Sequence, residues 1–240
     1  MIWFMLVLVA LIAFLIWWLF FETEGVYLGR GIVVWLYDVY ATRYDGIVKV
    51  EPVDEHLHLA VPIMQRIAPD TDPLVLDVAT GTGRLPLALL NHTEFSGYVL
   101  GIDASFKMLQ QAQAKLAEIH ADDCTTIAQG DGLYLPFPNE SFDVVTCMEA
   151  LEFMPIPESG LHELVRVLRP GGLLLTTLRI NQPWMPGKTW SQEAMHHLLR
   201  EAGITEIEFE LWQYDYTKVW GIKQGTSDFI GTTRLWQNSG

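Results

Sequence analysis

The chain has 240 residues, with 29 acidic and 15 basic side chains, and its formal net charge is −14. Such an acidic chain repels nucleic-acid phosphates and offers no polybasic patch to anionic lipid headgroups, so no nucleic-acid partner is expected. The two cysteines, Cys124 and Cys147, have no CxxC spacing, which favours buried free thiols over a disulfide or a zinc site.

The first segment, residues 1–21, has no charged side chain and is followed at once by Glu22. At a rise of about 1.5 Å per residue it reaches about 30 Å, the thickness of a hydrocarbon core, and it predicts a transmembrane helix. Trp3 near one end and Trp17 with Trp18 near the other suit the headgroup level. The alternatives are a secretory signal peptide, which would need a basic start and a small-residue cleavage site, and a buried core helix.

The orientation of this span follows from the few basic residues near it. Arg30, Arg43 and Lys49 come after the span, and no basic residue comes before it. Because cytoplasmic loops carry the excess of Lys and Arg, we expect a single-pass membrane protein whose C-terminal part lies on the cytoplasmic side.

Three further segments follow the anchor. Residues 22–70 form a juxtamembrane segment that is aromatic at first and predicts a helix from Asp54 to Ile67. Residues 71–224 show the pattern of one folded domain, and residues 225–240 are a Gly/Ser/Thr-rich tail that predicts a loop.

The domain alternates short apolar runs with amphipathic ones. Strand-like runs cover residues 74–78, 98–102, 124–128, 143–148, 172–178, 206–213 and 216–222, with helical stretches at 84–91, 106–119, 160–168 and 191–202. The last two strands have a very short link and must pair antiparallel. The pattern predicts an α/β fold in which a doubly wound, mostly parallel sheet of seven strands ends in an antiparallel strand.

A glycine-containing turn follows the first strand. Gly81 and Gly83 let the backbone turn tightly and let a ligand approach the amides of the next helix. A dinucleotide fingerprint would want a third glycine at position 86, which is Pro86 here. Asp77 ahead of the turn suits a cationic amino-acid group better than a pyrophosphate. A lone GxG is a weak signal, and an ordinary strand-to-helix turn is the alternative.

Two more carboxylates follow the next strands. Asp103 can accept hydrogen bonds from both hydroxyls of a ribose, or it can simply cap the helix beginning near Phe106. Asp131 can accept from an adenine amine, or it can be an ordinary turn residue. Together with Asp77 they converge at the carboxyl ends of three successive strands, where such sheets bind ligands.

The run from Val75 to the LRPGG-type loop at 168–172 resembles the Rossmann-like, class I S-adenosylmethionine-dependent methyltransferases, and residues 135–145 are typical of their small-molecule branch. The resemblance covers about residues 35–222, and this branch is similar to the ubiquinone and menaquinone biosynthesis enzymes. It implies S-adenosyl-L-methionine as cofactor, a methyltransferase domain at 71–224 and a lid at 22–70. The cofactor-binding residues that it implies are Asp77, Ala79, Gly81, Gly83, Asp103, Ala104, Met108, Asp131, Gly132 and Met148.

The stretch 144–155 is similar to quinone-biosynthesis O-methyltransferases in which two glutamates and a histidine bind a divalent metal. Glu149 and Glu152 match those glutamates, but Phe153 stands at the histidine position, so no metal is expected. The plainer alternative is that Glu149 caps a helix and Glu152 is solvated. No catalytic residue is assigned; Glu149, Glu152 and Tyr44 are candidates.

Two groups near the anchor have alternatives as well. The segment with Tyr37, Tyr40 and Tyr44 resembles the N-terminal helix that covers the site in ubiquinone and menaquinone methyltransferases. The alternative is that these tyrosines pack at the membrane interface. His56 and His58 could serve as a base, but two residues apart they lie on different faces of a helix, so ordinary surface histidines are expected.

These features predict a membrane-anchored S-adenosylmethionine-dependent methyltransferase, because an anchor favours encounter with an acceptor that stays in the bilayer. The expected acceptor is a small apolar molecule, either a prenylated quinol or a lipid. A catalytically silent, cofactor-binding membrane scaffold is the alternative from another class. A NAD-linked dehydrogenase is disfavoured by Pro86 and by the lack of a Tyr-x-x-x-Lys pair.

Overall fold

The computed structural model describes residues 2–225 except 122, 182–184 and 186–187. The predicted tail at 225–240 therefore lies outside the described residues, apart from Gly225.

A sheet of seven strands forms the centre of the domain, in the order β3-β2-β1-β4-β5-β7-β6. The strands are β1 (Leu74–Val78), β2 (Tyr98–Asp103), β3 (Thr125–Gln129), β4 (Phe142–Cys147), β5 (Leu168–Arg179), β6 (Ile204–Leu211) and β7 (Tyr216–Lys223). The pairs from β3 to β5 are parallel, whereas β7 runs antiparallel to both β5 and β6. The predicted fold class is confirmed, including the antiparallel last strand.

Helices cover both faces of the sheet and bury one core on each. They are α5 (Val61–Ile67), α6 (Arg84–Leu90), α7 (Phe106–Glu118), α8 (Pro157–Val167) and α9 (Gln192–Glu201). Leu161 and Met195, from α8 and α9, belong to one apolar cluster, while Ile63 and Leu89, from α5 and α6, belong to the other. Buried apolar side chains on both faces of the central strands explain their nearly continuous Val/Leu/Ile runs.

Strand β5 begins earlier than the sequence predicts. The LRPGG-type segment at 168–172 is its first part, and Leu168 already pairs with Phe142 of β4. A register shift between Phe142 and Val144 and the positive φ of Gly171 (76°) accommodate the irregular backbone there.

The N-terminal segment folds as one long helix. It comprises α1 (Ile2–Trp17) and a π-helical turn (Trp18–Glu22). The helix Ile2–Glu22 is long and apolar enough to cross a membrane, with a mean hydropathy of 2.8, and none of its apolar window is buried in the protein. A buried core helix, one of the sequence alternatives, would instead be covered by the domain.

Short helical pieces connect this helix to the sheet. They are a 3₁₀ turn (Val26–Leu28), α2 (Arg30–Tyr40), a second 3₁₀ turn (Ala41–Arg43), α3 (Tyr44–Val48) and α4 (Pro52–Glu55), which continues through a π turn (His56–Ala60) into α5. The helix predicted from Asp54 is therefore present but irregular.

The two cysteines are free thiols, as predicted. Cys147 is buried, whereas Cys124 just ahead of β3 is only partly buried.

Candidate functional site

A cavity lies at the carboxyl ends of β1, β2 and β4 and is covered by α2. It holds about 820 Å³ of space between atoms, its open mouth included. Eight of the ten residues predicted to bind the cofactor line it: Ala79, Gly81, Asp103, Ala104, Met108, Asp131, Gly132 and Met148. A cavity at this edge of the sheet is where open α/β sheets bind ligands.

The glycine turn takes a left-handed backbone at three positions. Ala79, Gly81 and Gly83 have φ values of 59°, 55° and 82°. An added Cβ on Gly81 would meet nothing within 4 Å, so the backbone there faces open cavity, whereas one on Gly83 would meet Cβ of Ala112 at 3.1 Å. Gly83 does not line this cavity, and its missing side chain lets α6 pack closely on α7.

The carboxylate of Asp103 is fixed at the end of β2. It accepts from the amide of Gly81 at 2.9 Å and from that of Ser105 at 2.7 Å, and burial raises its pKa. The helix cap is Ser105, whose hydroxyl accepts from the amide of Met108 at 3.1 Å. The interpretation of Asp103 as the cap is therefore wrong, and its remaining lone pairs are available to a ligand.

Asp77 lies beneath the turn and lines a smaller adjoining cavity. Ala79, Gly81 and Met148 line both cavities. Asp77 accepts from the Thr146 hydroxyl at 2.6 Å, and burial raises its pKa from 3.8 to about 6. A buried carboxylate of this kind suits a cationic group placed beside it.

The cavity wall beside Asp103 comes from the loop after β3, where the amide of Gly130 donates to the Asp103 carbonyl at 2.9 Å. Asp131 accepts from the amide of Leu133 at 3.0 Å, and its other oxygen lies 3.1 Å from a guanidinium nitrogen of Arg30. One carboxylate oxygen of Asp131 thus makes the hydrogen bond of an ordinary turn aspartate, which was the alternative interpretation. The other oxygen forms an ion pair that links α2 to this loop. Met108 is fully buried and offers an apolar cavity wall.

Two of the three lid tyrosines reach the cavity. Tyr37 and Tyr44 line it and contact each other with ring centroids 5.9 Å apart, whereas Tyr40 is not among the lining residues. The Ser105 hydroxyl donates to Asp38 at 2.6 Å, which fixes α2 against the start of α7.

The two candidate glutamates have different surroundings. Glu149 lines the cavity and caps no helix; it accepts from Arg84 at 3.2 Å, and its backbone has φ 51°. Glu152 is buried, lines neither cavity, and accepts from the Tyr216 hydroxyl at 2.6 Å. The expectation that Glu152 is solvated is therefore wrong, and its burial raises its pKa from 4.5 to about 7.

Two arginines near the site form ion pairs that the sequence does not predict. Arg84, directly after the turn, lies 2.8 Å from Glu55 as well as near Glu149. Arg179, at the end of β5, lies 4.0 Å from both Glu24 and Glu152 and stacks near the Phe153 ring at 5.5 Å. Both arginines meet their partners only through the tertiary fold.

The remaining candidates lie elsewhere. His56 stacks on His92 with ring centroids 5.2 Å apart, His58 is exposed, and neither lines the cavity. Within the described part of the chain, no three His, Cys, Asp or Glu residues cluster as a metal site would require. That observation leaves the metal-free reaction a prediction.

Comparison with known proteins extends this description. Residues 76–176 match the family model of a methyltransferase domain. Residues 76–176 therefore form a domain of the methyltransferase type, similar to the class I S-adenosylmethionine-dependent enzymes. S-adenosylmethionine is its cofactor.

Curated relatives are named for quinone biosynthesis. A demethylmenaquinone methyltransferase of Lactiplantibacillus plantarum is 33% identical over 151 residues, which cover 63% of each chain. A ubiquinone/menaquinone biosynthesis C-methyltransferase of Ruegeria sp. is 30% identical over 155 residues, covering 65% of this chain and 62% of the relative. The match thus spans less than two thirds of these relatives.

A solved structure supports the fold. The SAM-dependent methyltransferase of Aquifex aeolicus superposes with a TM-score of 0.58 at 20% identity, covering 72% of this chain and 94% of that one. The domain also fits its cofactor physically, since Gly81 borders open space, Asp103 retains acceptor capacity and Met108 forms an apolar wall.

Proposed function

We propose that the chain is a membrane-anchored methyltransferase that transfers the methyl group of S-adenosylmethionine to a small, apolar, quinone-type acceptor. The observation that carries this proposal is the convergence of Gly81, Asp103 and Asp131 on one cavity whose other half is apolar and aromatic. The names of the curated relatives support a quinone as the acceptor.

Different cofactor-binding residues contact different parts of S-adenosylmethionine. Asp103 accepts from the ribose hydroxyls, the Asp131–Gly132 segment and Met108 hold the adenine, and the turn from Asp77 to Gly81 holds the methionine part. Asp77 pairs with the ammonium group, because an adjacent cation stabilises the charged form of a buried carboxylate. Gly83 supports this turn through its packing on Ala112.

The acceptor lies against the apolar half of the cavity. This half is lined by Val33, Val34, Phe153, Met154 and Pro155. A flat aromatic ring with an apolar substituent matches such a wall, whereas a charged acceptor would lose its hydration without gaining partners.

Bound S-adenosylmethionine supplies an electrophilic methyl group, which the acceptor takes with loss of S-adenosylhomocysteine and a proton. The protein's part is to align the acceptor and to receive that proton. Glu149 is the candidate base because its carboxylate lines the cavity, whereas burial holds the pKa of the Tyr44 phenol well above its ordinary value and keeps it a donor.

The anchor is the helix that begins the chain, with the catalytic domain on the cytoplasmic side. Its exposed apolar surface supports the span, and Arg30, Arg43 and Lys49 after it support the orientation. The anchor concentrates the enzyme where a prenylated acceptor resides.

The proposal is tested by incubating the full chain in vesicles with methyl-labelled S-adenosylmethionine and a total lipid extract, with and without a chelator. We expect the label in the quinone fraction under both conditions. Label confined to water-soluble metabolites would contradict the membrane acceptor, and loss of transfer on chelation would contradict the metal-free reaction. Binding of S-adenosylhomocysteine with no transfer to any fraction would favour the silent scaffold.

A further inference from the structure

The end of the N-terminal helix is packed onto the segment that follows it. The Trp18 ring stacks on Tyr27 with centroids 5.3 Å apart, and the amide of Gly25 donates to the carbonyl of Leu19 at 2.8 Å. The helix therefore joins the domain through a folded connection instead of a slack linker.

The same segment forms part of the wall behind the cavity. Val26 belongs to a buried cluster with Val33 and Phe153, two residues that line the cavity. Glu24 accepts from the hydroxyl of Tyr37, another lining residue, at 2.9 Å. The foot of the span is thus held within one layer of side chains from the cavity.

Helix α2 has two distinct faces. Its inner face carries Arg30, Val33, Val34 and Tyr37, which follow the i, i+3, i+4, i+7 spacing and line the cavity. Its outer face carries Trp35 and Val39, which are 53% and 52% exposed. Because Trp35 and Val39 are four residues apart, they lie side by side on α2 and form an exposed apolar patch.

We propose that the outer face of α2, together with Leu28 in the turn before it, rests on the lipid bilayer. This inference depends on the proposed span, because continuity with the foot of that span identifies the bilayer as the occupant. Tryptophan favours the headgroup level, and the net charge of −14 excludes attraction to anionic lipids. So small a patch cannot hold the membrane alone, but the tethered span makes its contact effectively intramolecular.

The contact fixes the distance of the site from the membrane. A helix with its side chains is about 10–12 Å across, so the lining face of α2 lies about that far from the headgroups. An acceptor with a long apolar tail can then place its ring in the cavity while the tail remains in lipid.

Depth-dependent fluorescence quenching tests this surface on the full chain. Cys124 is replaced by Ser, and a fluorophore is attached to Trp35→Cys or, separately, Val39→Cys in phosphatidylcholine vesicles that contain a headgroup-level nitroxide lipid. The matched control is Glu118→Cys, an exposed position at the last residue of α7, whose first turn contacts α2. At about 1.5 Å per residue, Glu118 lies about 18 Å along α7 from the first residue of that helix.

We expect loss of most fluorescence at both α2 positions and none at residue 118. Equal, weak quenching at all three positions would overturn the proposal. Accessibility to water is measured in parallel with iodide, an aqueous quencher. If neither the nitroxide lipid nor iodide quenches the α2 probes, a second protein copy covers this face, and the proposal is likewise overturned. A chain that does not float with the vesicles would overturn the span itself. The quenching experiment does not measure methyl transfer, so its outcome is independent of whether the proposed enzymatic activity is correct.

Discussion

At the residue scale, the turn around Ala79 shows how a small side chain can stand where this fold needs a left-handed backbone. A non-glycine residue there is strained by roughly 1–2 kcal/mol, yet Ala79 keeps the conformation with φ 59°. The neighbouring Gly81 leaves the cavity open, and the amide of Gly81 donates to Asp103. The short segment from Ala79 to Gly81 thus sets both the open space for the ligand and the position of the Asp103 carboxylate.

Replacing Asp103 by Ala should weaken binding of S-adenosylhomocysteine by about 1.5–3 kcal/mol, the scale of hydrogen bonds to a charged acceptor. Titration calorimetry measures the change, with the exposed carboxylate Asp54→Ala as control. An unchanged affinity would mean that Asp103 only organises the Gly81 turn, and NAD binding in place of S-adenosylhomocysteine would contradict the cofactor.

Glu152 gives a prediction about pH. Burial raises its pKa from 4.5 to about 7, so the native state binds its proton more tightly than the unfolded chain, and stability declines as pH rises between those values. Glu152→Gln does not titrate, so its stability relative to the wild type should grow across this window by about 1–3 kcal/mol. Urea unfolding at a series of pH values measures this, and a constant difference would show that Arg179 compensates fully for the buried charge.

At the residue scale, the positions of side chains are predictable where the local sequence decides them. Asp103 follows a strand and therefore reaches the cavity, as expected. Ser105 was missed as the cap although it directly precedes the helix, because Asp103 competed for the same role. The burial of Glu152 had no local signal, since Tyr216 and Arg179 come from distant strands.

At the scale of elements, the strands were predictable because buried runs of Val, Leu and Ile are bounded by turn residues. The start of β5 was missed because Pro170 and two glycines read as a loop, whereas backbone pairing to β4 extends the strand through them. The π turn at His56–Ala60 was not predictable either, since its sequence is ordinary for an α-helix.

Helices α2 and α3, the predicted lid, give a kinetic prediction. Tyr44→Ala should reduce methyl transfer more than cofactor affinity, because a residue that orients the acceptor acts mainly on the transition state. The comparison of kcat with S-adenosylhomocysteine affinity measures this, and Tyr40→Ala, which removes a tyrosine outside the cavity lining, is the matched control. Equal losses in both variants would mean that the tyrosines only stabilise the segment.

At the scale of the whole molecule, the sequence predicts an anchor at 1–21, a separate segment at 22–70 and a domain at 71–224, whereas Val26, near the start of the second segment, packs with Phe153 of the domain. No residue from Ile2 to Trp17 is buried, as the proposed span requires. Thr23 and Val26, by contrast, are buried, so the segment after the span is part of the domain's fold. This packing depends on Val33 and Phe153 meeting in space, which hydropathy alone does not indicate.

Deleting residues 1–21 should therefore release a folded, soluble domain. Fractionation should find it in the supernatant, and its melting temperature should rise with S-adenosylhomocysteine because ligand binds only the native state. A truncation that removes Thr23 and Glu24 as well should melt lower, since it loses a buried residue and the partner of Tyr37. A folded 22–240 chain that stays in the membrane pellet would assign attachment to another surface.

Methyl transfer to a membrane quinone can be measured on a defined acceptor. The full chain is incubated in vesicles with S-adenosylmethionine and a prenylated quinol that lacks one ring methyl group, and the extracted lipid is analysed by mass spectrometry. We expect the quinol to gain the mass of one CH2 unit, a methyl group in place of a hydrogen, and the yield of this product to be much lower with Asp103→Ala than with the wild type. An unchanged quinol, with cofactor binding intact, would contradict the proposed function.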